Sequence, residues 1–230
     1  MKTEKMIGII GAMSMETEGL KAAMTDKKEE TVSGIRFTVG KLGDTPCVTA
    51  TCGVGKVAAA MCAEAMILRF GVTALLNTGV AGGLADGMVV TDIAVAKNVV
   101  QHDMDTTAIG DPAGLISGLN IVEIPTDAQM TALLENTAKA AGRVFVGTIA
   151  SGDLFVAKNE DKMRIKNGFG AIACEMEGAS IGQVAYTNGI PFSVLRVISD
   201  GGDGMEFSEF APKAADISVH ITKAFVQALS

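Results

Sequence analysis

Short apolar runs alternate along the chain with longer segments of mixed polarity, the pattern of strands separated by helices. Met6–Ala12 reads as a buried strand followed by a helix to about Met24, and the charged cluster Asp26–Glu30 reads as a solvated turn. Ile35–Val39 and Pro46–Thr51 have the β-branched or alternating character of strands. Gly55–Phe70 reads as a helix, with Val57, Met61, Ala65 and Leu68 at the spacing of an inward face. Thr73–Thr78 is a short buried strand closed by a glycine turn, Gly79–Gly83, and Val89–Val100 is a further strand. Gln101–Glu123, broken by Gly, Pro and Asp, reads as a long loop. Thr126-Asp127-Ala128-Gln129 has the form of a capping box, opening a helix that stops near Gly142. Arg143–Ala150 and Ala171–Met176 are strands on either side of a charged surface stretch, Asn159–Lys166. Glu177–Asn188 and Pro212–Leu229 are helices flanking the strand Phe192–Ser199. Continuous apolar strands between helices predict an α/β fold whose parallel or mixed sheet is covered on both faces. With no internal repeat and no linker-like composition, one domain is expected.

Composition narrows the function classes. Hydrophobic residues make up 48% of the 230 positions and charged ones 20%, enough for a large core and too apolar for a disordered chain. A net charge of −7 argues against a nucleic-acid or anionic-membrane surface, and one Tyr with no Trp offers little for base stacking. The longest uncharged stretch, Phe70–Ala85, is too short and glycine-rich to span a bilayer. The charged start, Met1–Lys5, runs directly into a strand-like segment without a small-residue cleavage site, so a cytoplasmic location is expected. Cys47, Cys52, Cys62 and Cys174 show no CxxC spacing and are expected as reduced, mostly buried thiols.

Ligands of open α/β sheets bind beyond the carboxyl ends of the strands, so the polar residues there are the candidates. Glu16 follows the first strand; Ser151-Gly152-Asp153, Glu175-Met176-Glu177 and Ser199-Asp200 close three others, and the glycine turn closes a fourth. Their coincidence at one sheet edge carries the information. Each also has a plainer reading: Glu16 and Glu177 as helix-start acids favoured by the dipole, Asp200 as the opening of a turn. Glu175 and Glu177 share a strand face in an apolar run, where carboxylates without partners are costly. Gly201–Gly204 is either ordinary loop or the hinge of a lid ending at Phe207. Gly8-Ile9-Ile10-Gly11 lacks the third glycine of a dinucleotide motif, and no Lys-Ser/Thr follows the glycine turn as a P-loop requires. His102-Asp103 with Asp105 hints at a metal cluster but reads more simply as a turn network, and no metal is expected. His220 reads as structural, and without a GxSxG elbow a Ser-His-Asp triad is not indicated.

Six motifs occur in order: Gly11-Ala12-Met13-Ser14-Met15-Glu16, Gly53-Val54-Gly55-Lys56-Val57, Asn77-Thr78-Gly79-Val80-Ala81-Gly82-Gly83, Ser151-Gly152-Asp153, Glu175-Met176-Glu177-Gly178 and Ser199-Asp200. With them the chain resembles the 5′-methylthioadenosine/S-adenosylhomocysteine nucleosidases of the purine nucleoside phosphorylase superfamily, over nearly its whole length. The resemblance implies a three-layer α/β fold with a central mixed, mostly parallel twisted sheet flanked by helices, and a homodimer. It implies hydrolysis, without cofactor or metal, of the bond joining adenine to a 5′-thio-substituted ribose, with 5′-deoxyadenosine as a further substrate. By motif, Glu16 would activate water and Asp200 would protonate adenine N7. Glu177 would hold the ribose hydroxyls, with Glu175 beside it in the binding set and Met176 beneath the sugar. Phe155 and Val156 would bracket adenine, Arg196 and Ser199 would support the water and the acid, and Phe207 would close over the 5′ region. Met13 and Val54 would complete the wall, and Ile109 would enter the pocket of a partner subunit. Two positions depart from the family pattern: Val80 stands where Ser is usual, and Ile109 where Phe is usual. The resemblance leaves a phosphorylase of the same superfamily as a rival, although Met13–Leu20 offers no Arg or Lys for phosphate. A futalosine-type hydrolase is a second, kept open by Val80. A non-catalytic nucleoside-binding protein is a third, but it would have no reason to keep Glu16, Glu177 and Asp200 together.

Overall fold

β1 (Ile7–Gly11) has no exposed position because both faces of its sheet are covered: Ile7 and Ile9 enter one apolar layer and Ile10 the other. The computed structural model describes residues 5–201 and 204–229. Met1–Glu4, most of the charged start, and Gly202 and Asp203 of the expected loop or hinge lie outside the described residues. From β1 the chain runs through α1 (Ser14–Ala23), the strands β2 (Thr25–Val32), β3 (Ile35–Leu42) and β4 (Thr45–Thr51), then α2 (Lys56–Phe70). β5 (Ala74–Gly83), β6 (Ile93–Gln101), β7 (Ile124–Pro125), α3 (Ala128–Ala138), β8 (Val144–Ser151) and α4 (Asn159–Phe169) follow. β9 (Ala171–Glu175), α5 (Gly178–Asn188), β10 (Phe192–Asp200) and α6 (Gly204–Ala228) complete it.

The strands form one mixed sheet in the order β10-β6-β8-β9-β5-β1-β4-β3-β2, with β7 added to β6 and β5 paired to β10 as well. β4, β1, β5 and β10 run parallel, as do β6, β8 and β9; the β2-β3-β4 margin and the β10–β6 and β5–β9 joins are antiparallel. Because β5 pairs with β1, β9 and β10, part of the sheet closes on itself. One face packs on α2 and α5 through Ala59, Cys62, Met66, Ala179 and Ile181. The other packs on α1, α3 and α6 through Leu20, Leu134, Ala215 and Phe225. This is the three-layer α/β architecture expected. All four cysteines are buried and free. Among the described residues, no helix is long and apolar enough to cross a membrane.

Several local expectations are corrected. Asp26–Glu30 is not a turn but the middle of β2, an edge strand whose exposed residues leave no hydrophobic period. Gly79–Gly83 continues β5 instead of turning: the glycines give clearance, since a Cβ at Gly79 would collide with the Glu16 carboxylate. α2 presents Ala59, Cys62, Ala63 and Met66 inward, while Val57 and Leu68 are 72% and 74% exposed. The reason lies opposite, where the missing side chain of Gly8 leaves the hollow that Met66 and Leu75 fill. β6 starts at Ile93, after a turn over Val89–Asp92. The Gln101–Glu123 loop holds a 3-10 turn at Thr107–Ile109 and an Ile116–Ile121 bridge. Asp127, not Thr126, caps α3 by accepting from the Met130 N–H, and the helix ends at Ala138. Asn159–Lys166 is on the surface but helical, and α6 begins at Gly204 with Pro212 inside it. His220 is exposed on α6.

Candidate active site

The carboxyl ends of β1, β5, β9 and β10 converge on a cavity of about 370 Å³, a size suited to a small molecule. β1 and the start of α1 supply Met13 and Glu16, β5 supplies Val80, and the loop before α2 supplies Val54. Phe155 and Val156 come from the loop after β8, Glu175, Met176 and Glu177 from the end of β9, Ser199 and Asp200 from β10. Phe207, in the first turns of α6, packs edge-on against Phe155 with ring centroids 5.6 Å apart. Two predicted residues lie elsewhere. Arg196 is wholly buried behind the acids, and Ile109 is 81% exposed on the surface, outside the cavity of its own chain.

Glu16 combines the plain reading with the functional one. As the third residue of α1 it accepts through Oε2 from the N–H groups of Ala12 (2.7 Å) and Met13 (2.8 Å), closing the helix start. Its other oxygen accepts from the Val80 N–H at 3.0 Å, so the carboxylate is fixed by backbone from the turn after β1 and from β5. Burial pushes its pKa above the usual carboxylate value, against the nearby Arg196 charge and these three N–H groups. The result is a more basic oxygen pair at the cavity wall.

Glu175 and Glu177 sit two residues apart around one arginine. Arg196 donates to Glu175 and to the Asn77 side-chain oxygen, and its guanidinium lies 3.6 Å from Glu177. Glu175 also accepts from the Ser151 hydroxyl and, at α5's start, from the N–H groups of Glu177 (3.0 Å) and Gly178 (2.8 Å). Burial acts upward on Glu175, but the guanidinium and these donors outweigh it and hold it below the usual range. Glu177 has the opposite balance: burial first and the Glu175 charge second push it up to about 7, with Arg196 opposing. Neighbouring acids driven in opposite directions mark a site where charge is arranged for use. On β10, the Ser199 hydroxyl donates to Asp200 Oδ2 at 2.8 Å.

Leu154 and Cys174 also line the cavity and carry no signal in the sequence; Gly82, from the glycine-rich motif, lines it too. Asn77 was legible in principle, as an amide inside the apolar run of β5; it also donates to the Ile10 carbonyl. Among the described residues, no group of three His, Cys, Asp or Glu is arranged to hold a metal ion. His102 and Asp103 belong instead to a loop network.

A mixed sheet of this connectivity, with acids gathered at its strand ends, defines the class. The family model for the phosphorylase superfamily matches residues 6–227. A nucleosidase from Actinobacillus succinogenes is 41% identical over 214 residues, covering 91% of this chain and 93% of the relative. The chain belongs to the phosphorylase superfamily and, within it, to the family of the 5′-methylthioadenosine/S-adenosylhomocysteine nucleosidases. The crystal structure of S-adenosylhomocysteine nucleosidase from Streptococcus pyogenes, in complex with 5-methylthiotubericidin, superposes with a TM-score of 0.95 at 35% identity, covering 100% of this chain and 99% of that one. A futalosine hydrolase from Helicobacter pylori superposes with a TM-score of 0.93 at 36% identity, covering 98% of each chain.

Proposed function

We propose that the protein hydrolyses the N-glycosidic bond of 5′-methylthioadenosine and S-adenosylhomocysteine, releasing adenine and the 5′-thio-substituted ribose, and that it also cleaves 5′-deoxyadenosine. The observation that carries this reading is that Glu16, Glu177 and Asp200 face one small cavity otherwise lined mainly by apolar side chains. Adenine is a poor leaving anion, so Asp200, steadied by the Ser199 hydroxyl, protonates N7 as the bond lengthens. The sugar acquires oxocarbenium character, and the buried carboxylates stabilise that charge strongly where water is excluded. Glu177 accepts from the ribose hydroxyls above Met176. Glu16, made more basic by burial, takes the proton of the attacking water. Arg196 acts from behind, keeping Glu175 ionised and limiting the repulsion between the acids.

A phosphorylase would need cationic donors facing the cavity. Among the described lining residues there is no Lys or Arg, and Arg196 is engaged with Glu175 and Asn77. Futalosine-type hydrolysis is the reading favoured by one observation, the hydroxyl missing at Val80. The deciding experiment offers methylthioadenosine, adenosylhomocysteine, 5′-deoxyadenosine, adenosine, inosine and futalosine with and without phosphate, and quantifies free base. Adenine from the two thio-nucleosides and 5′-deoxyadenosine, independent of phosphate and with no hypoxanthine from inosine, is expected. Strict phosphate dependence, or turnover of futalosine alone, would overturn the assignment.

The chain is further inferred to pair with a second copy, whose Ile109 would complete the 5′ end of the pocket. Support comes from the exposed Val57, Met61 and Leu68 along α2 and the exposed Ile109 itself, apolar side chains that a partner would cover. Four free thiols suit the reducing cytoplasm expected from sequence.

A further inference from the structure

Three charged residues outside the cavity close a hydrogen-bonded ring beneath two of its walls. The Lys56 N–H, at the start of α2, donates to Asp153 Oδ1 at 2.8 Å. The Asp153 N–H donates to Asp103 Oδ2 at 2.9 Å, and Asp103 Oδ1 accepts from Lys56 Nζ at 2.7 Å. Lys56 Nζ also reaches Gln101 Oε1 at 3.2 Å. One residue earlier, the Gly55 N–H donates to Glu177 Oε1 at 2.9 Å. The first turn of α2 therefore grips Asp153, the root of the loop that carries Phe155 and Val156, and Glu177, with adjacent N–H groups. Anions at a helix start suit its dipole.

Close packing makes the ring specific. Gly55 has φ +102°, and a Cβ there would lie 2.9 Å from Asp153 Oδ1. At Gly152 a Cβ would collide with the buried ring of His102. Both glycines let the two loops approach until their hydrogen bonds close. Asp103 stays ionised at neutral pH: its partial burial acts upward but is outweighed by the hydrogen bonds from Lys56 and the Asp153 N–H. Beyond the ring, Leu154 and Phe155 are substantially exposed, whereas Val156 is buried against Val100 and Ile165, so the loop is held at its root by the ring and further on by Val156.

We propose that Lys56, Asp103 and Asp153 are positioning residues that set the adenine-side loop and the Glu177 carboxylate at a fixed separation, so that base and ribose are gripped together. This rests on the function proposed above. None of the three touches the reacting atoms, so the ring acts on substrate capture more than on the chemical step.

The test compares the parent with Lys56→Met, Asp103→Ala and the double variant in steady-state hydrolysis of methylthioadenosine, with thermal unfolding of each. Misplacing a binding group by about 1 Å costs up to about a hundredfold, so each single variant is expected to raise KM about tenfold with kcat within about threefold. The double variant should be no worse than the poorer single one, because removing any member opens the ring. A merely structural role would lower the amount of active enzyme and leave KM alone; KM within about twofold of the parent in all three variants would overturn the proposal. If the parent itself releases no adenine, the proposed function fails, and the ring is judged by amide hydrogen exchange without substrate. Exchange about tenfold faster at residues 55–56 and 153–157 in Asp103→Ala would support it, and unchanged rates there would sink it.

Discussion

Glu177 is held in a state that costs the fold. Burial and the neighbouring Glu175 raise its pKa to about 7 from an ordinary 4.5, so the native protein favours the protonated form over the unfolded chain. A raised folded-state pKa contributes stability that is present below about 4.5 and lost as pH rises through about 7. Glu177→Gln, neutral throughout, is therefore expected to melt several degrees above the parent at pH 8 and level with it near pH 4.5, while losing activity. Thermal unfolding across that range checks both the sign and the window; a variant that melts lower at pH 8 refutes it. Glu16→Gln and Asp200→Asn address the chemistry directly. Each is expected to lower kcat by about 10²–10⁴ while still binding a non-hydrolysable adenosine analogue, measured by calorimetry beside turnover. Turnover equal to the parent's would remove the assigned role.

Elements differed in how much of themselves the sequence displayed. β1 and β10 were legible because a strand buried on both faces is mostly apolar, with Val, Leu and Ile dominating even where β10 carries Arg196. β2 was not, because an exposed edge strand is written in Asp, Lys and Glu like any turn. α4 was hidden for the same reason, being a helix with a single fully buried position, Ile165. The inward face of α2 could not be chosen from its period, since both faces are apolar and only the hollow at Gly8 selects Met66. The acids of the site were legible because carboxylates interrupt apolar runs at strand ends. Lys56 and Asp153 stood within the quoted motifs, but their link through Asp103 was not legible, because it joins three chain segments that only the fold brings together. The misjudged face of α2 leads to its own prediction. If the parent pairs as proposed above, light scattering should give a dimer that Leu68→Glu with Met61→Glu converts to monomers; an unchanged mass would exclude this face as the contact.

At the scale of the whole molecule, the sheet and the site are one construction. β5 joins β1, β9 and β10, and its glycines clear room for the acids those strands bring. Arg196 sits at that junction, bonded to Asn77 of β5 and Glu175 of β9. Arg196→Met would strand buried carboxylates without their cation, and an unfolding free energy lower by about 3–5 kcal/mol is expected from urea titration. A loss below about 1 kcal/mol would mean that the acids rearrange at little cost. The guanidinium has one more consequence. β10 aligns Arg196 with Gly79 of β5, and its neighbours Leu195 and Val197 point into the α3–α6 layer. Sliding β10 by a single residue would turn the strand over and drive a bare cation among Leu76, Ile93 and Val95. The charge that steadies the acids thus also favours the native alignment of the strand that delivers Asp200 over a slipped one.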